Sequence, residues 1–126
     1  MKYEEFIARV AENVEVSEAE AGILVRATLA TLAERISGGE AQDLAAQLPA
    51  PLDSAFVSAH ENAEAFGFED FVQRTAERAD ADIETAERAV DAVFATIREA
   101  VTNGEFDDVL SQLPADFHRL GTSQSR

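Results

Sequence analysis

The chain contains no cysteine, and this absence excludes several kinds of site at once. Disulfides, zinc fingers, iron–sulfur clusters and thiol nucleophiles all need cysteine sulfur, so this protein cannot use any of them. Tryptophan is also missing, tyrosine occurs once, and only three prolines and six glycines are present. Long stretches are therefore free of helix breakers, which favours helices.

Long apolar runs are missing as well. No run approaches the roughly 20 residues that a membrane-spanning helix needs. The first residues, "MKYEEFIARV", turn acidic at once and show no apolar core of a secretory signal. We therefore expect a soluble, cytoplasmic protein that does not bind membranes.

Basic residues are scarce. The chain has 25 acidic and 10 basic residues, a net charge of −15, and Lys2 is its only lysine. Such a surface repels phosphate backbones, so we expect no nucleic-acid partner. Two explanations of the acidity stay open: ordinary solvated helix faces, and adaptation to high cytoplasmic salt in a halophile. The scarcity of lysine can also come from a GC-rich genome that prefers arginine codons.

What the chain does contain favours an all-α fold. It has 126 residues, 46% of them apolar, which is the size and composition of one ordinary domain. Alanine, glutamate, arginine, glutamine and leucine are good helix formers. No convincing alternating strand segment is present.

An internal repeat is the strongest signal in the sequence. When each residue is placed beside the residue 65 positions later, residues 3–55 align with residues 68–120 without a gap, and 18 of the 53 pairs are identical. Unrelated segments would agree at a few per cent to about a tenth of positions, so we interpret the pattern as a duplication. It predicts a helical bundle of two pseudo-symmetric repeats with three to four helices each.

The repeat also predicts the domain organisation. A single helical domain over residues 1–120 contains repeat one at 3–55, a linker at 56–67 and repeat two at 68–120, and a frayed polar tail follows at 121–126. The linker is short and each half alone is small, so we expect the halves to pack together.

Local signals place the helices within each half. Apolar spacing predicts helix one at about 2–14 and 68–79. Ser17 and Asp82 are good caps for the start of helix two. We expect helix two to end at "SGG" and "TNG", where glycine or asparagine would supply a left-handed cap.

A Gly-Glu…Gln-Leu-Pro motif occurs in both halves and predicts a third helix, a sharp corner before proline and a short fourth helix. The motif is either a structural corner or a doubled binding surface. Its residues are Gly39, Glu40, Leu48, Pro49, Gly104, Glu105, Leu113 and Pro114.

The stretches "AEAGILVRATLATLAERISGGEAQDLAAQLPAPL" and "AERAVDAVFATIREAVTNGEFDDVLSQLPADFHRL" carry a resemblance over nearly the whole chain. The sequence resembles the family called domain of unknown function 2267, found in bacteria and archaea. The resemblance implies an all-helical, duplicated fold and no activity, because the family has no established role or catalytic residues.

Candidate catalytic groups are few. His60 and His118 are the only histidines, lack metal-ligand spacing, and are predicted to lie on the surface. No phosphate-binding glycine loop or calcium-binding loop is present. We therefore predict no catalytic, cofactor-binding or metal-binding residues and no enzymatic activity.

One set of charged residues recurs in both halves: Arg9, Glu12, Glu34, Arg74, Glu77 and Glu99. Arg9 and Glu12 are three positions apart and can meet on one helix. The set predicts an ion pair between helices one and two, or alternatively a cationic spot for an anionic ligand or acidic partner.

Taken together, these patterns favour a non-enzymatic interaction or scaffolding module with an unknown protein partner. The alternative is a small-molecule-binding protein with a groove between the two repeats. An exposed apolar patch would favour the first function, and a closed pocket with convergent polar groups would favour the second.

Overall fold

A computed structural model describes residues 1–56 and 63–120. Within these ranges the chain is all-helical and contains no strand, as predicted. The α-helices are α1 (Tyr3–Val14), α2 (Glu18–Arg35), α3 (Gly38–Gln47), α4 (Phe68–Ala79), α5 (Ile83–Ala100) and α6 (Asn103–Ser111). Two 3₁₀ turns, Leu52–Phe56 and Ala115–Phe117, follow α3 and α6.

Short polar side chains begin four of these helices. The Ser17 hydroxyl accepts a hydrogen bond from the backbone N–H of Glu20 at 3.1 Å, and the Asp82 carboxylate accepts one from Thr85 at 2.7 Å. Both caps were predicted from the sequence. Ser37 and Thr102 cap α3 and α6 in the same way. Each cap pairs a backbone donor that the first turn of a helix leaves free.

The predicted left-handed ends of α2 and α5 are wrong. Their C-cap residues, Ile36 and Val101, have extended backbones, with φ of −108° and −117°. The glycines that follow lie inside the first turn of the next helix, because Ser37 and Thr102 begin that helix immediately. The left-handed residues are instead Glu15 and Asp80, at φ 65° and 53°, where α1 and α4 end.

Four long helices form the body of the protein. α1 packs on α2 and α5, α4 packs on the same two helices, and α2 and α5 contact each other. α3 and α6 follow the C-terminal ends of α2 and α5 and contact each other. The C-terminal ends of α2 and α5 therefore lie at one pole of the bundle, and the N-terminal ends of the same two helices lie at the other.

One hydrophobic cluster runs through both halves of the chain. It includes large apolar residues from equivalent positions of the two halves: Phe6, Leu32, Leu48, Phe71, Ile97 and Leu113. Aromatic rings fill the second half, where Phe71 contacts Phe94 and Phe117 edge to face with centroids 6.1 and 5.3 Å apart. The shared cluster holds the two halves against each other.

Residues 57–62 and 121–126 lie outside the described residues. The surface prediction for His60, the central part of the predicted linker and the predicted frayed tail fall there. Among the helices that the structure describes, none combines the length and apolar character needed to cross a membrane.

Candidate functional site: a buried carboxyl pair between α3 and α6

The glutamine of each Gly-Glu…Gln-Leu-Pro motif binds the start of the other half's third helix. The Gln112 side-chain oxygen accepts a hydrogen bond from the backbone N–H of Ser37 at 2.7 Å. The Gln47 oxygen accepts one from the backbone N–H of Thr102 at 2.8 Å. Gln112 also donates to the Ser37 hydroxyl at 3.2 Å. These exchanged bonds connect α3 with α6.

This exchange explains the position of Glu40 and Glu105. Each is the third residue of its helix, where a glutamate commonly accepts a hydrogen bond from the backbone N–H of the cap residue. Here that N–H donates its hydrogen bond to the glutamine of the opposite half instead. Glu40 and Glu105 are instead only 9% and 7% exposed, at the contact between the two helices.

The two buried carboxyl groups form a pair. One carboxylate oxygen from each of Glu40, Glu105 and Asp43 lies within 4.8 Å of the other two. The Oε2 atoms of Glu40 and Glu105 are fully buried and have no hydrogen-bond partner among the described residues. Like charges this close repel, and burial removes the water that would weaken the repulsion.

Burial raises the pKa of Glu40 to about 8, and two further effects act in the same direction: the hydrogen bond to Glu105 that forms when one of the two carboxyl groups is protonated, and the charges of Glu105, Asp108 and Asp43. The ion pairs formed within the described ranges use Glu34, Glu64 and Glu99 rather than this pair. The pair therefore holds a proton near neutral pH, or needs a cation in its place.

The apolar residues of the motif form a corner. Leu48 and Leu113 are buried, and Leu48 has the extended backbone that the following Pro49 favours. Pro114 precedes the 3₁₀ turn Ala115–Phe117. The short fourth helices are therefore 3₁₀ turns. A Cβ added at Gly39 or Gly104 would meet nothing within 4 Å, so close packing does not require these glycines.

His118 is exposed, as predicted, and supports this corner. Its Nε2 lies 2.9 Å from the carbonyl oxygen of Leu110 and 3.1 Å from that of Leu113. Because both partners are acceptors, Nε2 carries the proton. The imidazole therefore caps the end of α6.

The recurring charged residues form ion pairs, but not within one half. Arg9 on α1 pairs with Glu99 on α5, and Arg74 on α4 pairs with Glu34 on α2 at 3.0 Å. Each pair joins a first helix to a second helix, as the prediction had it, but the second helix belongs to the other half, because each first helix also packs against the opposite second helix. Glu12 and Glu77 are exposed.

The pair at Glu34 extends into a network that sequence analysis missed. Arg78 donates to both Glu34 oxygens, at 3.1 and 2.6 Å, and to the Thr31 hydroxyl at 2.8 Å. Arg35 donates to the carbonyl of Phe66 at 2.7 Å. Arg78 and Arg35 align with Asn13 and Ala100, so the repeat alone offered no signal for them.

A groove lies at the opposite pole, between residues 17–24 and 79–85, with a volume of about 680 Å³. We call it the helix-end groove. It is lined by Ile23, Glu20, Asp80 and Asp82, and no lysine or arginine is among its described lining residues. Ile23 is 48% exposed, and Ile83, which follows Asp82, is 52% exposed.

Comparison with curated proteins finds no match to this chain. Residues 3–120 match a protein family described as "Uncharacterized conserved protein (DUF2267)". The match includes all six α-helices and both copies of the glutamine-containing motif. The chain therefore belongs to the DUF2267 family of uncharacterized conserved proteins.

Proposed function

We propose that this protein is a non-enzymatic interaction module. In the helix-end groove it binds a segment of a partner protein that carries both basic and apolar side chains. The observation that carries the proposal is the exposure of Ile23 within an acidic groove. Large apolar side chains on a protein surface favour contact with a partner when they are grouped with a concave site.

The charge of the groove supports a basic partner. Glu20, Asp80 and Asp82 line it, and the whole chain carries 25 acidic residues against 10 basic ones. The hydrogen bond from the Thr85 backbone lowers the pKa of Asp82, which keeps this carboxylate charged. Such a field accelerates and orients the approach of a positively charged segment.

We also propose that the two halves are pseudo-symmetric repeats that form one scaffold over residues 1–120. The bounds of α1 and α2 differ from those of α4 and α5 by 65 residues at both ends. α1 contacts α5 while α4 contacts α2, and the Gln47 and Gln112 bonds are reciprocal. A fold of this kind presents equivalent positions with different side chains, so one copy can carry a binding surface that the other lacks.

Position 23 shows this difference between the copies. It carries isoleucine in the first half, and the aligned position 88 carries arginine. Ile23→Arg therefore introduces the residue that the fold accepts in the second half, and it tests binding without removing a buried group. Gln42→Arg, on the exposed surface of α3 at the other pole, adds the same charge and is the matched control.

The test is a nuclear magnetic resonance titration of the labelled chain with a synthetic helical peptide of leucine and arginine. We expect shifts confined to residues around the helix-end groove, and a loss of affinity of at least about tenfold in Ile23→Arg, the size typical of a buried interface anchor. Gln42→Arg should bind like the wild type. Shifts spread over the acidic surface, or equal weakening by both variants, would contradict the proposal.

The same groove supports a second candidate, a small-molecule-binding protein. Its volume of about 680 Å³ is within the range of ligand sites, and both halves of the chain line it. A screen of small cationic compounds by the same titration separates the two. Saturable shifts with a compound and none with the peptide would favour the small-molecule function.

A further inference from the structure

We propose that Glu40, Asp43 and Glu105 bind one hard divalent cation of the calcium class at the contact between α3 and α6. This inference is independent of the helix-end groove, which lies at the opposite pole. It starts from two buried oxygens, Oε2 of Glu40 and Oε2 of Glu105, that have no hydrogen-bond partner among the described residues.

The unpaired oxygens need a shared proton or a cation between them, because buried polar atoms are nearly always paired. Both glutamates are more than nine-tenths buried, so bulk water does not solvate them. The glutamates could otherwise accept hydrogen bonds from the backbone N–H groups of the cap residues. Gln47 and Gln112 accept those hydrogen bonds instead. The hydrogen bonds of Gln47 and Gln112 therefore leave the two glutamate side chains facing each other between α3 and α6.

The donor set selects the class of ligand. All three groups offer carboxylate oxygen, and no nitrogen or sulfur ligand belongs to the cluster within the described chain. Oxygen-only sites suit Ca²⁺, Mg²⁺ and Mn²⁺ rather than zinc or copper. Asp108 adds further negative charge close to Glu40.

The spacing fits one ion. The three oxygens lie within 4.8 Å of one another. Calcium binds oxygen at about 2.3–2.6 Å, so two oxygens bound to one ion are at most roughly 5 Å apart, and the three groups are close enough to share one ion.

Asp43 provides the route for entry. Its side chain is exposed, whereas those of Glu40 and Glu105 are buried. An ion can therefore reach the pair from the solvent beside Asp43 and keep water molecules on its outer side. Sites that mix protein carboxylates with water are common for hard cations.

The experiment uses the full chain after removal of metals with a chelator. Calorimetric titration with calcium chloride should give one site per chain, and the thermal midpoint should rise by about 10 °C at a hundredfold excess over the dissociation constant. Potassium chloride at matched ionic strength measures how much of the rise is screening of the acidic surface. Magnesium chloride is run in parallel to identify which of these hard cations the site binds more tightly.

Two variants remove ligands without threatening the fold. Asp43→Asn changes an exposed residue, and Glu40→Gln keeps the shape of the side chain while removing a group that can ionise. We expect each to lower calcium affinity by at least about tenfold, since even residues that only support metal ligands cost 10–100-fold. Asp107→Asn, an exposed aspartate on α6 outside the cluster, is the matched control and should bind like the wild type.

The proposal is overturned if calcium raises the midpoint no more than potassium chloride at equal ionic strength. It is also overturned if Asp107→Asn weakens binding as much as Asp43→Asn, because this would show diffuse attraction to an acidic surface. Several weak sites per chain in the calorimetric titration would also overturn the proposal, because they too would show diffuse attraction to an acidic surface.

Discussion

Gln112 and Ser37 are 75 positions apart in the chain, yet the Gln112 side-chain oxygen accepts a hydrogen bond from the Ser37 backbone at 2.7 Å. In the reciprocal hydrogen bond, the Gln47 side-chain oxygen accepts from the backbone N–H of Thr102. Each half thus supplies a cap for a helix of the other, and the displaced glutamates Glu40 and Glu105 are buried between them.

The exchanged bonds should contribute measurably to stability. Gln112→Ala removes two hydrogen bonds to Ser37 and should lower the free energy of unfolding by about 1–2 kcal/mol, whereas Gln47→Ala removes one and should cost about 0.5–1.5 kcal/mol. Urea unfolding measures both. Gln42→Ala, at an exposed position of α3, is the control and should change little. Costs at the two bridging positions no greater than at Gln42 would show that these bonds are not stabilising.

The carboxyl pair should make stability fall as pH rises. The pKa of Glu40 is raised to about 8, so between pH 4.5 and 8 the folded protein holds a proton that the unfolded chain has released. The free energy of unfolding should therefore decrease across this window, by at most about 1.4 kcal/mol per pH unit for one proton. Thermal melts of metal-free protein between pH 5 and pH 9 measure the slope.

Glu40→Gln provides the check on this assignment. The amide cannot ionise, so the variant should be more stable than the wild type above about pH 8 and should show a flatter pH dependence. Asp107→Asn should keep the wild-type slope. An unchanged slope in Glu40→Gln would mean that other groups cause the pH dependence.

The two equivalent ion pairs should differ in strength. A hydrogen bond from Arg78 lowers the pKa of Glu34, with Arg74 acting in the same direction and burial opposing both. Glu34 therefore stabilises the fold above its unfolded pKa, and this contribution is lost as pH falls through its folded pKa. Glu34→Gln should cost about 1 kcal/mol at neutral pH. Glu99→Gln, which breaks the more exposed pair with Arg9, should cost less than about 0.5 kcal/mol.

Leu48 and Leu113 should behave as core residues. They are 7% and 5% exposed and belong to the shared hydrophobic cluster. Truncation of either residue to alanine should cost roughly 2–5 kcal/mol, as expected for large-to-small core changes. Chemical unfolding measures the loss. Values under about 0.5 kcal/mol at both positions would refute the interpretation of the motif as a core corner and favour a doubled binding surface.

The net charge of −15 should make stability depend on salt. Folding brings like charges together, and potassium chloride should raise the thermal midpoint mostly below about 1 M, where the screening length falls to about 3 Å. A continued rise at multimolar salt would indicate a halophilic surface. A parallel series in sodium sulfate separates screening from salting-out. A midpoint that is flat or falling in chloride would contradict the repulsion argument.

Local signals determined the helices of this protein. Ser17 and Asp82 begin α2 and α5 because a short polar side chain can pair the backbone donors of the first turn, whatever the rest of the chain does. The apolar spacing around Phe6 and Phe71 marks the buried faces for a similar reason. The left-handed ends were misplaced because Ser37 and Thr102 start new helices before glycine is reached.

The candidate cation site depends on contacts that only the folded chain creates. The burial of Glu40 against Glu105 could not be predicted, because no local pattern shows that Gln112 takes the N–H which Glu40 would otherwise bind. Only the structure shows that the partner of Arg9 is Glu99, because residue spacing defines neighbours on one helix, not which helix lies opposite. Local propensities thus determined the helices from the sequence alone, whereas the meeting of Glu40 with Glu105 was decided by packing between segments 65 residues apart.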